Sequence, residues 1–92
     1  MKYMVEWSVP PATFNATIAR FLDTGGAPPR GVTMLGRWHS MTNAHGVAIC
    51  ESSDEEALYL WQAQWADLIP MSVTPCLEDA EAGEVLGSLN NG

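Results

Sequence analysis

LGRWHSMTNAHGVAICES, residues 35–52, is the stretch whose reading decides the fold. Two alternating segments flank a polar turn, which is the pattern of two strands folded back on each other. The first of them begins at Val32. It sets Val32, Met34, Gly36 and Trp38 on one face and Thr33, Leu35, Arg37 and His39 on the other. Residues 40–45 form the turn, with Asn43 available for a left-handed position. Residues 46–52 alternate Val47, Ile49 and Glu51 against Ala48, Cys50 and Ser52. Apolar side chains on both faces mark this as a strand in the middle of a sheet that is covered on both sides.

Working outward, the segment before the hairpin reads as a helix over residues 11–24. Phe14, Ile18, Phe21 and Leu22 form one apolar stripe along it. Pro10-Pro11 suits its first turn, and Gly25-Gly26 stops it by offering left-handed conformations. Ahead of it, residues 2–8 alternate Tyr3, Val5 and Trp7 against Met4, Glu6 and Ser8, a half-buried strand. After the hairpin, Ser53 with Glu56 three residues on reads as a capping box that opens a second helix. That helix runs to residue 68, places Leu58, Trp61, Trp65 and Leu68 on one stripe, and is closed by Pro70. Residues 71–78 form a fourth strand, with Met71, Val73 and Leu77 opposite Ser72, Thr74 and Cys76. Pro75 within it calls for a sheet edge, because proline cannot donate to a ladder. The acidic, alanine-rich residues 79–89 form a short terminal helix whose Val85, Leu86 and Leu89 need a surface to dock on.

The resulting order, βαββαβ plus a terminal helix, predicts an α+β, ferredoxin-like domain spanning residues 1–92. It has a four-stranded antiparallel sheet with two helices on one face. The other face also carries apolar positions. Two such sheets stacked face to face would cover it, which predicts a homodimer of the dimeric α/β barrel type.

Composition narrows the function classes. Of 92 residues, 47% are hydrophobic and 16% charged, a globular composition for a single domain with a modest core. Eleven acidic residues against four basic ones give a formal charge of -7. The basic residues Lys2, Arg20, Arg30 and Arg37 are scattered, so nucleic acid and anionic membranes, which need clustered cations, are excluded as partners. No run is long and apolar enough to span a bilayer, and the N-terminus lacks a signal peptide's apolar stretch. Cys50 and Cys76 show neither metal-ligand spacing nor a disulfide framework. The reading is two reduced thiols in a cytoplasmic protein.

The candidate site residues lie on the hairpin and the helix stripes. His39 is the candidate for moving a proton, with no identified carboxylate to orient it. His45 could meet it across the hairpin mouth, but the spacing matches no metal signature. Glu6 and Glu51, on strands that would be neighbours, could form a carboxylate pair. Otherwise Glu51 ends its strand at the sheet rim and Glu6 pairs with Arg37 or a partner subunit. Arg37 could hold an anionic group through its planar fork or sit in a salt bridge. Trp7, Trp61 and Trp65 could wall an aromatic gap between sheet and helices that binds a flat apolar ligand. The same spacing also serves ordinary core packing. No phosphate loop, nucleophile elbow, zinc helix or calcium loop is present, and no cofactor is called for.

Several segments carry a resemblance. The opening MKYMVEW, the segment GRWH at residues 36–39, Gly46 with the strand leading into CESSDEEAL, and VTPCLEDAE at residues 73–81 together resemble a domain-of-unknown-function family, number 3303. The resemblance runs through nearly the whole chain. It implies a ferredoxin-like, dimeric α/β barrel fold and supplies no catalytic residues. More distantly, the architecture is similar to antibiotic-biosynthesis monooxygenases and haem-degrading enzymes, which place an Asn, a Trp and a His around a substrate. Trp61 or Trp65 could stand for that Trp. No asparagine occupies the first strand here, and His39 comes from a different element.

Two functions follow from this reading. The favoured one is a homodimeric small-ligand-binding or interaction domain of the bacterial cytoplasm, without catalysis. The alternative is a cofactor-independent monooxygenase- or isomerase-like enzyme acting on a small aromatic or quinone-like substrate. In that case Trp61 and Trp65 would wall the pocket, His39 would move a proton and Arg37 would hold an anionic oxygen. A filled space between helices and sheet would sink the enzyme, and an open cavity reaching His39 would keep it.

Overall fold

The computed structural model describes residues 1–91. In chain order it contains β1 (Lys2–Ser8), a 3-10 turn (Pro11–Thr13), α1 (Phe14–Thr24), β2 (Val32–His39), β3 (His45–Ser52), α2 (Glu55–Trp65), β4 (Met71–Cys76) and α3 (Asp79–Asn91). The strands form one sheet in the order β2-β3-β1-β4, every neighbouring pair antiparallel. This is the expected α+β, ferredoxin-like arrangement. β4, with Pro75, is an edge, and β3 is internal.

Alternation decides which side chains meet the helices. Tyr3 and Val5 of β1, Ala48 and Cys50 of β3 and Val32 of β2 are buried in one core with Ala57, Leu58, Trp61 and Trp65 of α2 and with Ile69. Each large side chain taken out of water there contributes about 1.5–3 kcal/mol. Strict alternation fails in β2. Its pairing with β3 shifts between Met34 and Gly36, so that Val32 and Met34 pair with Ser52 and Cys50 while Arg37 and His39 pair with Ala48 and Gly46. The extra residue, Leu35, is a β-bulge. Arg37 and His39 therefore share the helix side with Val32 and Met34, whereas simple alternation sets them on opposite faces. Trp38, which simple alternation sets with Val32 and Met34, lies on the opposite face, paired with Val47.

The second helix starts one residue later than the capping box implies. Asp54, extended at φ -123°, is the cap, and its carboxylate accepts the Ala57 N–H at 3.1 Å. Ser52 Oγ accepts the Asp54 N–H and donates to the Gly31 carbonyl at 2.6 Å, which ties β3 to the loop before β2. α2 ends at Trp65, and the Leu68 and Ile69 N–H groups both return to the Trp65 carbonyl before Pro70. In the β2–β3 turn the left-handed residue is Ala44, φ 45°, rather than Asn43. The Ala44 carbonyl accepts the Val9 N–H at 2.9 Å, so a tertiary bond holds the chain there.

The sheet's second face is open. Met4, Val47 and Ile49 are half-buried on it, and Trp38 lies over Gly36 at 60% exposure. α3 carries Val85, Leu86 and Leu89 largely exposed instead of docked. Among the described residues, no helix is long and apolar enough to cross a membrane.

Candidate functional site

α1 does not pack down on the sheet as its apolar stripe predicts. Leu22 is largely exposed, and Phe14 and Ile18 are 41% and 40% exposed. The helix is held at its two ends and along one flank. At the start, Thr13 Oγ1 donates to the Leu68 carbonyl at 2.6 Å, joining it to the turn that follows α2. At the finish, Gly25 takes the left-handed conformation (φ 72°), and Arg37 donates to the carbonyls of Gly25 and Gly26 at 3.0 and 3.1 Å. On the flank, Arg20 donates to the Gln64 carbonyl and makes a two-point ion pair with Asp67 at 2.7 and 2.8 Å. Arg20 also lies 5.4 Å from the centre of the Trp65 ring. Its guanidinium holds the Asp67 carboxyl below the usual carboxylate range. Between these tethers the middle of α1 stands off the sheet and leaves a cavity of about 230 Å³.

Trp7, Arg37, His39, Trp61 and Trp65, the candidate site residues from sequence, all line this one cavity. Two of them, Trp7 and His39, owe their place to one row of the sheet register. Met71, Trp7, Gly46 and His39 form one row across β4, β1, β3 and β2. The indole of Trp7 lies flat across Gly46, where a Cβ would sit 2.3 Å from the ring. That brings Trp7 edge-on to His39, with ring centres 6.1 Å apart, and Phe21 closes on His39 from the other side at 5.7 Å. His39 is exposed at the cavity mouth between two aromatic rings. Trp61 and Trp65 lie deeper, 3% and 8% exposed, and are core and cavity wall at once.

Among the described residues, Arg37 is in no salt bridge, so its charge is not paired with a carboxylate. Each of its two terminal nitrogens donates to a helix-end carbonyl, and its guanidinium stacks 4.8 Å from the Phe21 ring centre. This is the result of the bulge, which turns Arg37 beneath the end of α1. Glu6 therefore cannot pair with it. Glu6 lies on the open face, 3.8 Å from His45 Nε2, and Ser8 Oγ is 3.0 Å from His45 Nδ1. Nor do Glu6 and Glu51 form a pair, because Glu6 sits opposite Val47 and Glu51 opposite Lys2. The two histidines lie on opposite faces of the sheet and cannot share a metal. Among the described residues, no cluster of three or more His, Cys, Asp or Glu could hold one. Cys50 and Cys76 are both free and also lie on opposite faces. Burial pushes the Cys50 thiol up, away from a reactive thiolate.

Sequence reading missed part of the wall, including Phe14, Thr17, Ile18 and Phe21 of α1. Thr17 had a signal, since it breaks the apolar stripe at the position between Phe14 and Ile18 that faces inward. Its hydroxyl and the Trp61 indole N–H are both buried without a hydrogen-bond partner. The arrangement is chemically an apolar, aromatic pocket. It has a histidine at its mouth and the Arg37 guanidinium in its wall.

Comparison with known proteins adds a family and no function. No curated protein and no solved structure matches the chain. The family described as Domain of unknown function (DUF3303) matches over residues 1–90. With a match across essentially the whole βαββαβα chain, this protein belongs to the DUF3303 family.

Proposed function

We propose that this protein is a homodimeric domain of the bacterial cytoplasm that binds one small, largely apolar molecule in the cavity between α1 and the sheet. The observation that carries the reading is the cavity itself. An engineered apolar cavity of 150 Å³ binds benzene, so about 230 Å³ leaves room for a molecule of roughly two fused rings. A core that merely folded would close this space, because packing rewards filling it. Instead Thr13, Arg20 and Arg37 hold α1 off the sheet.

Binding is favoured over catalysis because His39 has aromatic neighbours and no carboxylate to orient it. The carboxylate nearest a histidine is Glu6, and it serves His45 on the far face. Support for a second copy comes from the open sheet face with Trp38, Met4, Val47 and Ile49, and from the exposed apolar side chains of α3. Both are apolar surfaces that a domain of this size gains by covering. Two free cysteines on opposite sheet faces fit a reducing compartment.

The test is a thermal-shift screen against small metabolites including quinones, flavins and haem, followed by titration on intrinsic tryptophan fluorescence. One chemical class should give a saturable rise in Tm together with a spectral change from Trp7, Trp61 and Trp65. Absence of any saturable response across the classes would reject the binding role. Sedimentation should show a species of twice 10.0 kDa, and a stable monomer at micromolar concentration would reject the dimer.

A further inference from the structure

Arg37 carries the one observation that bears on the charge of a ligand. It lines the cavity, and its guanidinium is placed by two other lining residues, stacked on the Phe21 ring and bonded to the Gly26 carbonyl. The two carbonyls it serves are neutral, so it keeps its full positive charge. Lys2 and Arg20 are matched by carboxylates, Glu78 and Asp67, but among the described residues Arg37 has no such partner. The cavity wall does not supply one either. Among the described residues it holds no aspartate or glutamate, in a chain with eleven acidic side chains and a formal charge of -7. The charge is also felt inside the protein. Burial pushes the Cys50 thiol up, and Arg37 works against that push.

An unpaired charge in an otherwise apolar wall selects what can fill the space beside it. A neutral molecule in the cavity takes water from the half-buried guanidinium and returns nothing for the lost hydration. A cation is repelled. An anion is attracted, and more strongly than in water, because the apolar wall lowers the local dielectric. A guanidinium also has more N–H donors than the two given to Gly25 and Gly26, and among the described residues the rest have no acceptor. Hydrogen bonds from such a group to a carboxylate are about twice as strong as those between neutral groups.

We infer that the ligand is an aromatic acid, a fused-ring compound with one anionic oxygen group, a carboxylate in the simplest case. Its negative charge lies against Arg37 while Trp7, Trp61 and Trp65 cover its rings. This rests on the cavity being a binding site and goes beyond it by naming the charged group that is recognised. It gives Arg37 two tasks, since the guanidinium that holds the end of α1 also matches the ligand.

The experiment compares 2-naphthoate with 2-naphthamide, two probes of nearly the same shape that differ in charge. Affinity is measured by calorimetry at low salt. The Arg37 Nε–H signal, assigned through the backbone, is followed in a nitrogen–proton correlation spectrum. The wild-type protein should bind naphthoate at least about tenfold more tightly than naphthamide, with the Arg37 signal moving as naphthoate is added. Arg37→Gln, which removes the charge and keeps an amide donor for a helix-end carbonyl, should bring the two affinities to within about threefold of each other. If that variant fails to fold, the wild-type preference and the Arg37 signal decide together. Equal binding of the two probes, a naphthoate preference with an unmoved Arg37 signal, or a preference that survives Arg37→Gln overturns the inference and leaves the apolar pocket standing. Failure of both probes to bind overturns the pocket reading and the inference together.

Discussion

Gly46→Ala tests how the candidate site is built. Gly46 is not among the residues with positive φ, so its backbone suits any side chain and the glycine is not required for a turn. The requirement is contact. A Cβ at residue 46 would stand 2.3, 2.5 and 2.8 Å from three atoms of the Trp7 indole, where carbon contacts normally lie at about 3.5–4.0 Å. β3 is paired on both sides and cannot retreat, so the indole must move by about 1 Å or more. The atoms struck lie along the body of the ring, so a small tilt of its far end does not relieve them. Overpacking of this kind costs about 1–3 kcal/mol, which for a domain of this length lowers Tm by roughly 5–20 °C.

The decisive assay is a double-mutant cycle on thermal or urea unfolding, with Gly46→Ala made in wild type and in Trp7→Ala. Without the indole the three atoms nearest the new methyl are gone. There the substitution should be neutral or stabilising by about 0.5–1 kcal/mol, as replacing a strand glycine normally is. Displacing Trp7 should also separate it from His39 and weaken any ligand that the cavity takes. An equal cost in both backgrounds would falsify the account of Gly46 as the seat of the Trp7 ring.

Trp61→Ala should destabilise by about 3–5 kcal/mol as a core deletion and abolish ligand binding; an unchanged Tm with binding lost would make Trp61 wall alone. Arg37→Met, which keeps the stem and removes the fork, should cost about 1–3 kcal/mol by leaving the Gly25 and Gly26 carbonyls unmatched. Hydrogen exchange should then quicken at the end of α1, and exchange rates identical to wild type would show that the fork does not anchor the helix. Asp67, held below the usual range by its hydrogen bond to Arg20, stabilises the fold above its unfolded pKa of about 4 and loses that contribution as pH falls through its lower native value. The stability gap between wild type and Asp67→Asn should therefore narrow between about pH 5 and pH 2, and a gap constant over that window would exclude the linkage.

The element order and the strand faces were legible because period-2 and helical repeats report local burial directly. Pro75 marked an edge strand, and the alternation put Tyr3, Val5 and Trp7 together on one face of β1, the face that the structure turns to the helices. The bulge at Leu35 was not legible. Its extra residue looks like any other in the alternating run 32–39, and only pairing with β3 shows that Arg37 and His39 change side. The pairing of Glu6 with His45 was hidden for the same reason, since registers between strands distant in sequence have no local signature.

By itself, the sequence determined the fold class, the four strands, the tryptophan stripe of α2 and the absence of clustered positive charge. All of these follow from the order and spacing of side chains along one chain. The tertiary structure decided that α1 stands off the sheet, that Arg37 caps it from a place in the cavity wall, and that Thr17 joins Trp61 in that wall. Those outcomes depend on tethers between residues far apart in the chain. They are made by hydrogen bonds from Thr13, Arg20 and Arg37 to carbonyls and a carboxylate whose positions exist only once the chain has folded.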